Sequence, residues 1–149
     1  MGRRAQKPGQ DDELAGVLRL TRRMFMLFRD RLDEALKPLG LTAAQLKLLA
    51  ALHHEPRTSG AHLSRFCEVK PQTLHALLAA AEQRGWVRRF PHPENQRTLL
   101  AELTPEGQRL FRRGKTLALR LQDHMLRTLS AADVRSLEST LSHLIENLS

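Results

Sequence analysis

KPQTLHALLAAAEQRGWVRRFPHPENQRTLLAEL, residues 70–103, decides how this chain folds. Pro71 sits where the first helical position falls, a place where its missing N–H costs nothing. The alanine-rich run Ala76–Glu82 continues the helix, and Gly85 stops it as a residue free to turn left-handed. Trp86 to Arg89 then climb into a polar tip, Phe90–Arg97, and Thr98–Leu103 reads as a returning strand. A shorter helix, Gly60–Phe66, lies just upstream across the tight turn Glu68-Val69-Lys70. Two helices at a tight turn followed at once by a basic hairpin is the layout of a winged helix-turn-helix, which lays one helix in a major groove and the hairpin beside it. The first reading is therefore DNA binding.

Working outward, Thr42 and Gln45 form a capping-box pattern that opens a helix over Ala43–His54, with Leu46, Leu49, Ala50, Leu52 and His53 as inward positions. Glu55–Ser59 reads as a loop, with Ser59 as cap of the short helix. Upstream, Asp11, Asp12 and Glu13 suit the positive start of a long helix. Its apolar positions, from Leu14 through Val17, Met24, Phe28 and Leu32 to Leu36, recur every three or four residues, and Pro38 and Gly40 end it. The first ten residues read as a frayed arm. Downstream, Thr104-Pro105-Glu106 starts a helix to about Leu129, and Ser130 with Asp133 caps another over Ala131–Leu148. The fold class is mainly α with a small β-hairpin wing. One domain spans 1–149, with the winged helix-turn-helix at 41–104 flanked by long N- and C-terminal dimerisation helices at 11–39 and 105–149.

Composition narrows the partners. The chain has 149 residues, 41% apolar, with a net charge of +8 carried mostly by arginine. That charge favours an anionic partner, and guanidinium suits phosphate. No apolar run reaches the ~18 residues of a membrane span, and no uninterrupted apolar stretch follows the basic start as in a signal peptide. A single cysteine fits a reducing, cytoplasmic setting. The long amphipathic helices carry more apolar surface than one small module covers. Two chains pairing through them would bury it and set two recognition helices about one DNA turn apart.

At this point the residues resemble the MarR family of bacterial transcriptional regulators. The resemblance runs from Leu41 to Gly107 through Leu41–Gln45, Leu63–Val69, Pro71-Gln72-Thr73, Glu82 with Gly85-Trp86-Val87 and Arg89, Asn95-Gln96-Arg97 and Leu103–Gly107. It implies a homodimer of triangular shape that binds double-stranded operator DNA, usually as a repressor, and is released by a small aromatic or phenolic effector. It implies no cofactor. Carried over by position, Pro71–Arg84 is the recognition helix, and Gln72, Thr73, His75 and Ala76 face the groove. Gln72 can read adenine, Thr73 a thymine methyl and His75 a purine N7 or O6. Arg97 matches the wing arginine that looks into the minor groove. Arg88 and Arg89 lie on the rising strand, one reaching phosphate and another bracing the hairpin.

The chain departs from the family pattern at several points. The wing acid is replaced by Asn95, His92 stands where aspartate is common, and Glu68 takes a turn position where glycine is frequent. Lys70 replaces the small hydroxyl cap, which is sensible if a phosphate docks at that helix end. Four residues after Leu63, Cys67 reads as a buried structural thiol rather than a redox sensor. No histidine pair has the i,i+3 or i,i+4 spacing of a helical chelate, so no metal site is expected. Met24, Phe28 and His53 are the effector-binding candidates. No phosphate loop, nucleophile motif or paired carboxylates support an enzyme. Two other readings fit parts of the chain: a winged-helix protein-interaction module, and a small-molecule or metal sensor with weak DNA binding.

Overall fold

Helix starts written into the sequence organise the structure, a computed structural model that describes residues 10–149, with side chains from Ala15 onward. The N-terminal arm and the acidic side chains at 11–13 lie outside the described residues or side chains. The elements run α1 (Gln10–Leu36), a 3-10 turn (Lys37–Leu39), α2 (Ala43–His54), β1 (Thr58–Ser59), α3 (Gly60–Cys67), α4 (Pro71–Gln83), β2 (Val87–His92), β3 (Asn95–Leu103), α5 (Pro105–Leu126) and α6 (Ala131–Glu146). The Thr42 hydroxyl accepts the Gln45 N–H while the Gln45 amide oxygen accepts the Thr42 N–H, the reciprocal capping box. Ser130 and Asp133 repeat the reciprocal box at α6, while at α3 and α5 the Ser59 and Thr104 hydroxyls each accept one backbone N–H, from His62 and Gly107. Asp33 of α1 also accepts the Ala43 N–H at 2.6 Å, fastening the long helix to the start of α2.

The three strands form one antiparallel sheet in the order β1-β3-β2. Residues 55–59, expected as loop, end in a strand. Thr58 pairs with Ala101 and Ser59 with Leu100, which covers backbone groups along the free edge of β3. The core lies between α2, α3, α4, the sheet and the first half of α5, built on Leu48, Leu49, Leu52, Leu63, Leu74 and Val87. His53 is not inward as expected. It is exposed, its ring against Phe111 and its Nδ1 hydrogen-bonded to the Gln108 side-chain oxygen at 2.9 Å. Leu48 and Ala51 are buried instead, because α2 is covered on more than one side.

The root of the wing is held by α5. The Thr104 N–H donates to the Trp86 carbonyl at 3.0 Å and its hydroxyl donates to the Gly85 carbonyl at 2.6 Å. One turn on, the Gly107 backbone lies so close that a Cβ there would sit 2.0 Å from the Trp86 oxygen. Beyond this anchorage burial falls away. The α5 stripe is buried at Leu110, half-buried at Leu117 and Leu121 and exposed at Met125, and the helix ends at Leu126, before the expected Leu129. α6 has no buried residue, and Val17, Leu18, Leu20 and Phe25 of α1 are exposed within the chain.

Candidate nucleic-acid interface

The turn between α3 and α4 is left-handed at Glu68, with φ of +55°, the conformation for which glycine is suited. Glu68 is tied to Lys47 by a 2.8 Å ion pair, and the Lys47 ammonium holds its carboxyl below the usual range. Lys70 then enters α4 in extended conformation, and no side chain caps the helix. The N–H groups of its first turn thus point out beside a cation, a favourable setting for phosphate. Leu74, Leu78 and Ala81 bury one face of α4. Gln72, Thr73, His75 and Ala76 are left exposed, with positions 72, 75 and 76 adjacent on the helix surface.

The wing is tighter than its sequence suggests. Strand pairing runs to His92 opposite Asn95, so the expected eight-residue tip shrinks to Pro93 and Glu94, with an irregularity after Pro91. Two side chains close it. His92 Nδ1 accepts the Glu94 N–H at 3.1 Å, and Asn95 Oδ1 accepts the Arg97 N–H at 3.2 Å. These are the positions where the acidic pattern is missing, and each supplies a lone pair to backbone. Arg97 is exposed, and its guanidinium forms no ion pair among the described residues.

Arg88 and Arg89 point to opposite faces of β2. Arg88 is mostly exposed and pairs across the strands with Glu102, its register partner. Arg89 is turned inward and is only 20% exposed, with Nε and Nη2 both on the same oxygen of Glu82 in the last turn of α4. Of the two, Arg89 has the geometry of a brace. That pair and its charge hold the Glu82 carboxyl below the ordinary range. Sequence reasoning gave roles to the arginines but not to Glu82, Glu102 or Arg84. The Arg84 guanidinium lies 4.9 Å from the Trp86 ring centre and donates to the Gly40 carbonyl at 2.8 Å. The available signal was pairing register for Glu102, and for Glu82 the carboxylate and guanidinium bracketing one turn.

The effector candidates separate. Met24 and Phe28 line an open groove of about 500 Å³ between α1 and α5 with Leu20, Leu121, His124 and Met125, and with Arg23 and Arg31 at its margin. His53 does not line it. Cys67 is 4% exposed, and burial raises its thiol pKa despite the opposing pull of Lys47. No three metal-ligating side chains converge among the described residues, and no single helix there is long and apolar enough to cross a membrane.

Comparison with known proteins converges on one family. A family model described as the MarR family matches residues 39–98. The chain is 31% identical over 122 residues to the HTH-type transcriptional repressor Rv2887 of Mycobacterium tuberculosis, covering 82% of this chain and 88% of that protein. It is 30% identical over 119 residues to the multiple antibiotic resistance protein MarR of Escherichia coli, covering 78% and 83%. A crystal structure of a mutant of the E. coli protein complexed with operator DNA superimposes with a TM-score of 0.82 at 28% identity, covering 89% and 96%. With the helix pair, the wing and its exposed arginine in place, these matches establish that the chain belongs to the MarR family.

Proposed function

We propose that this transcriptional regulator binds a pseudo-palindromic operator as a homodimer in the cytoplasm and represses transcription until a small aromatic or phenolic effector releases it. The observation that carries the reading is the exposed row Gln72, Thr73 and His75 on α4 together with the exposed Arg97 of the wing. Gln72, Thr73 and His75 read base edges, Lys70 and the open start of α4 take a phosphate, and Arg97 enters the minor groove. Arg88 reaches phosphate from the wing's outer face while Glu102 aligns it. Two curated relatives, one named a repressor and one an antibiotic resistance protein, and a neighbour crystallised with operator DNA support this role.

Unburied α6 and the exposed Val17, Leu18, Leu20 and Phe25 of α1 favour a second copy as their cover, since apolar surface on this scale is uncommon on soluble monomers. The α1–α5 groove offers an apolar floor with cations at its edge, suited to an aromatic acid or phenol. Selection of bound fragments from genomic DNA, followed by gel shifts, tests the reading. The selected duplex should be preferred over random DNA. Arg97→Ala should weaken binding and lower the salt slope by about 0.9, while Gln72→Ala and His75→Ala change base preference. Equal affinity for selected and random DNA would overturn it.

A further inference from the structure

We infer that the Glu82–Arg89 ion pair is a strut that fixes the angle between the recognition helix and the wing, which makes both side chains positioning residues for operator reading. The inference rests on the DNA-binding reading above. Glu82 lies in the last turn of α4, and Arg89 is the third residue of β2. Between them the chain bends through Arg84, left-handed Gly85 (φ +74°) and Trp86. Backbone bonds hold the bend itself, from the Gly85 N–H to the Glu82 carbonyl and from the Trp86 N–H to the Ala81 carbonyl, both at 2.9 Å. They fix the hinge but not the lever.

From Val87 to His92 the wing extends about 17 Å, at roughly 3.3 Å per residue. A freedom of about 10° at the hinge would sweep the tip through about 3 Å, half the roughly 6 Å width of a minor groove. Arg97 would then miss its place while α4 stayed seated. Arg89 crosses that angle on the sheet face turned towards α4. Two guanidinium donors on one carboxylate oxygen fix direction as well as distance, which a single-point contact does not.

A direct phosphate role for Arg89 predicts the opposite behaviour of its partner. If Arg89 served phosphate, Glu82 would compete for it, and removing the acid would leave DNA binding unchanged or stronger. If the pair is a strut, removing the acid weakens binding although one negative charge has been taken from beside a polyanion. The sign separates the two roles.

The test compares Glu82→Gln, Arg89→Gln, Arg89→Lys and the double exchange Glu82→Arg/Arg89→Glu with wild type. Fluorescence anisotropy is read on the selected operator duplex and on a random duplex of equal length, with thermal melts to confirm folding. Each single variant should lose about fivefold on the operator, the upper end for a partly exposed pair. On the random duplex neither affinity nor salt slope should change, and the exchange should recover most of the loss on the operator. Arg89→Lys keeps the charge and the fold but loses the fork, so it should show the same operator-only defect. Wild-type operator binding by Glu82→Gln or Arg89→Lys overturns the strut. So does an equal loss on both duplexes for Arg89→Gln with the slope lowered by about 0.9, the signature of a phosphate contact. A wild-type protein that prefers neither duplex removes the DNA-binding reading itself, a result distinct from failure of the strut.

Discussion

Gly107→Ala puts a methyl group where, of the described glycines, a Cβ has the least room. The new Cβ would begin 2.0 Å from the Trp86 carbonyl oxygen and 2.9 Å from its carbon, so α5 and the wing root must part by at least about 1 Å to relieve the clash. That same oxygen accepts the Thr104 N–H at 3.0 Å, and the Thr104 hydroxyl reaches the Gly85 carbonyl at 2.6 Å. A 1 Å separation takes both beyond useful length, at about 1 kcal/mol each. Overpacking adds about 2 kcal/mol, and the better helix propensity of alanine returns about 1 kcal/mol. The net is about 3 kcal/mol, or a melting temperature lower by roughly 10 °C for a chain of this size. Gly16→Ala is the internal control. Its Cβ meets nothing within 4 Å, so the same change in α1 should be neutral or stabilising by up to about 1 kcal/mol. Thermal and urea unfolding of both variants would decide. A Gly107→Ala melt within about 2 °C of wild type would refute the close-approach reasoning.

Three further outcomes follow from particular contacts. Glu68→Gly should raise the melting temperature by about 2 °C, because relief of the left-handed φ of +55° outweighs an exposed ion pair, whereas Glu68→Gln should lower it slightly. The Glu82 carboxyl is depressed by Arg89, so its contribution is full above the ordinary carboxylate range and is lost as pH falls through the lowered value. Melts from about pH 6 to pH 3 should drop more steeply for wild type than for Glu82→Gln, and parallel curves would contradict the pair's role. Cys67, buried with its thiol pKa raised, should react with a disulfide reagent at pH 8 only as fast as the fold opens. Immediate labelling of the native protein would show the thiol is accessible.

Much of the scaffold was readable because local chemistry decides it. Thr42, Ser59, Thr104 and Ser130 are helix caps acting within three residues of themselves, and Pro71 and Gly85 mark the ends of α4 by backbone preference alone. The exposed row on α4 carries over by position from the family resemblance, and Leu74, Leu78 and Ala81 bury another face of the helix. What escaped reading depends on residues far apart in the chain. Two residues, Thr58 and Ser59, have no strand signature and become one only because β3 presents an open edge. The resemblance gives Arg88 and Arg89 a phosphate contact and a brace between them, and the turn at Gly85 that brings Glu82 against Arg89 decides which is the brace. His53 was grouped with Met24 and Phe28 by analogy, but the rotation of α2 sends its ring to Phe111 and Gln108.

The helix α6 ends the chain without a buried residue of its own. With a second copy as its cover, the order of this segment becomes a property of solution concentration rather than of the sequence alone, since an assembly of two is stabilised by mass action. In dilute protein the number of paired molecules rises as the square of the number of chains. A modest change in synthesis rate would then produce a sharper change in operator occupancy.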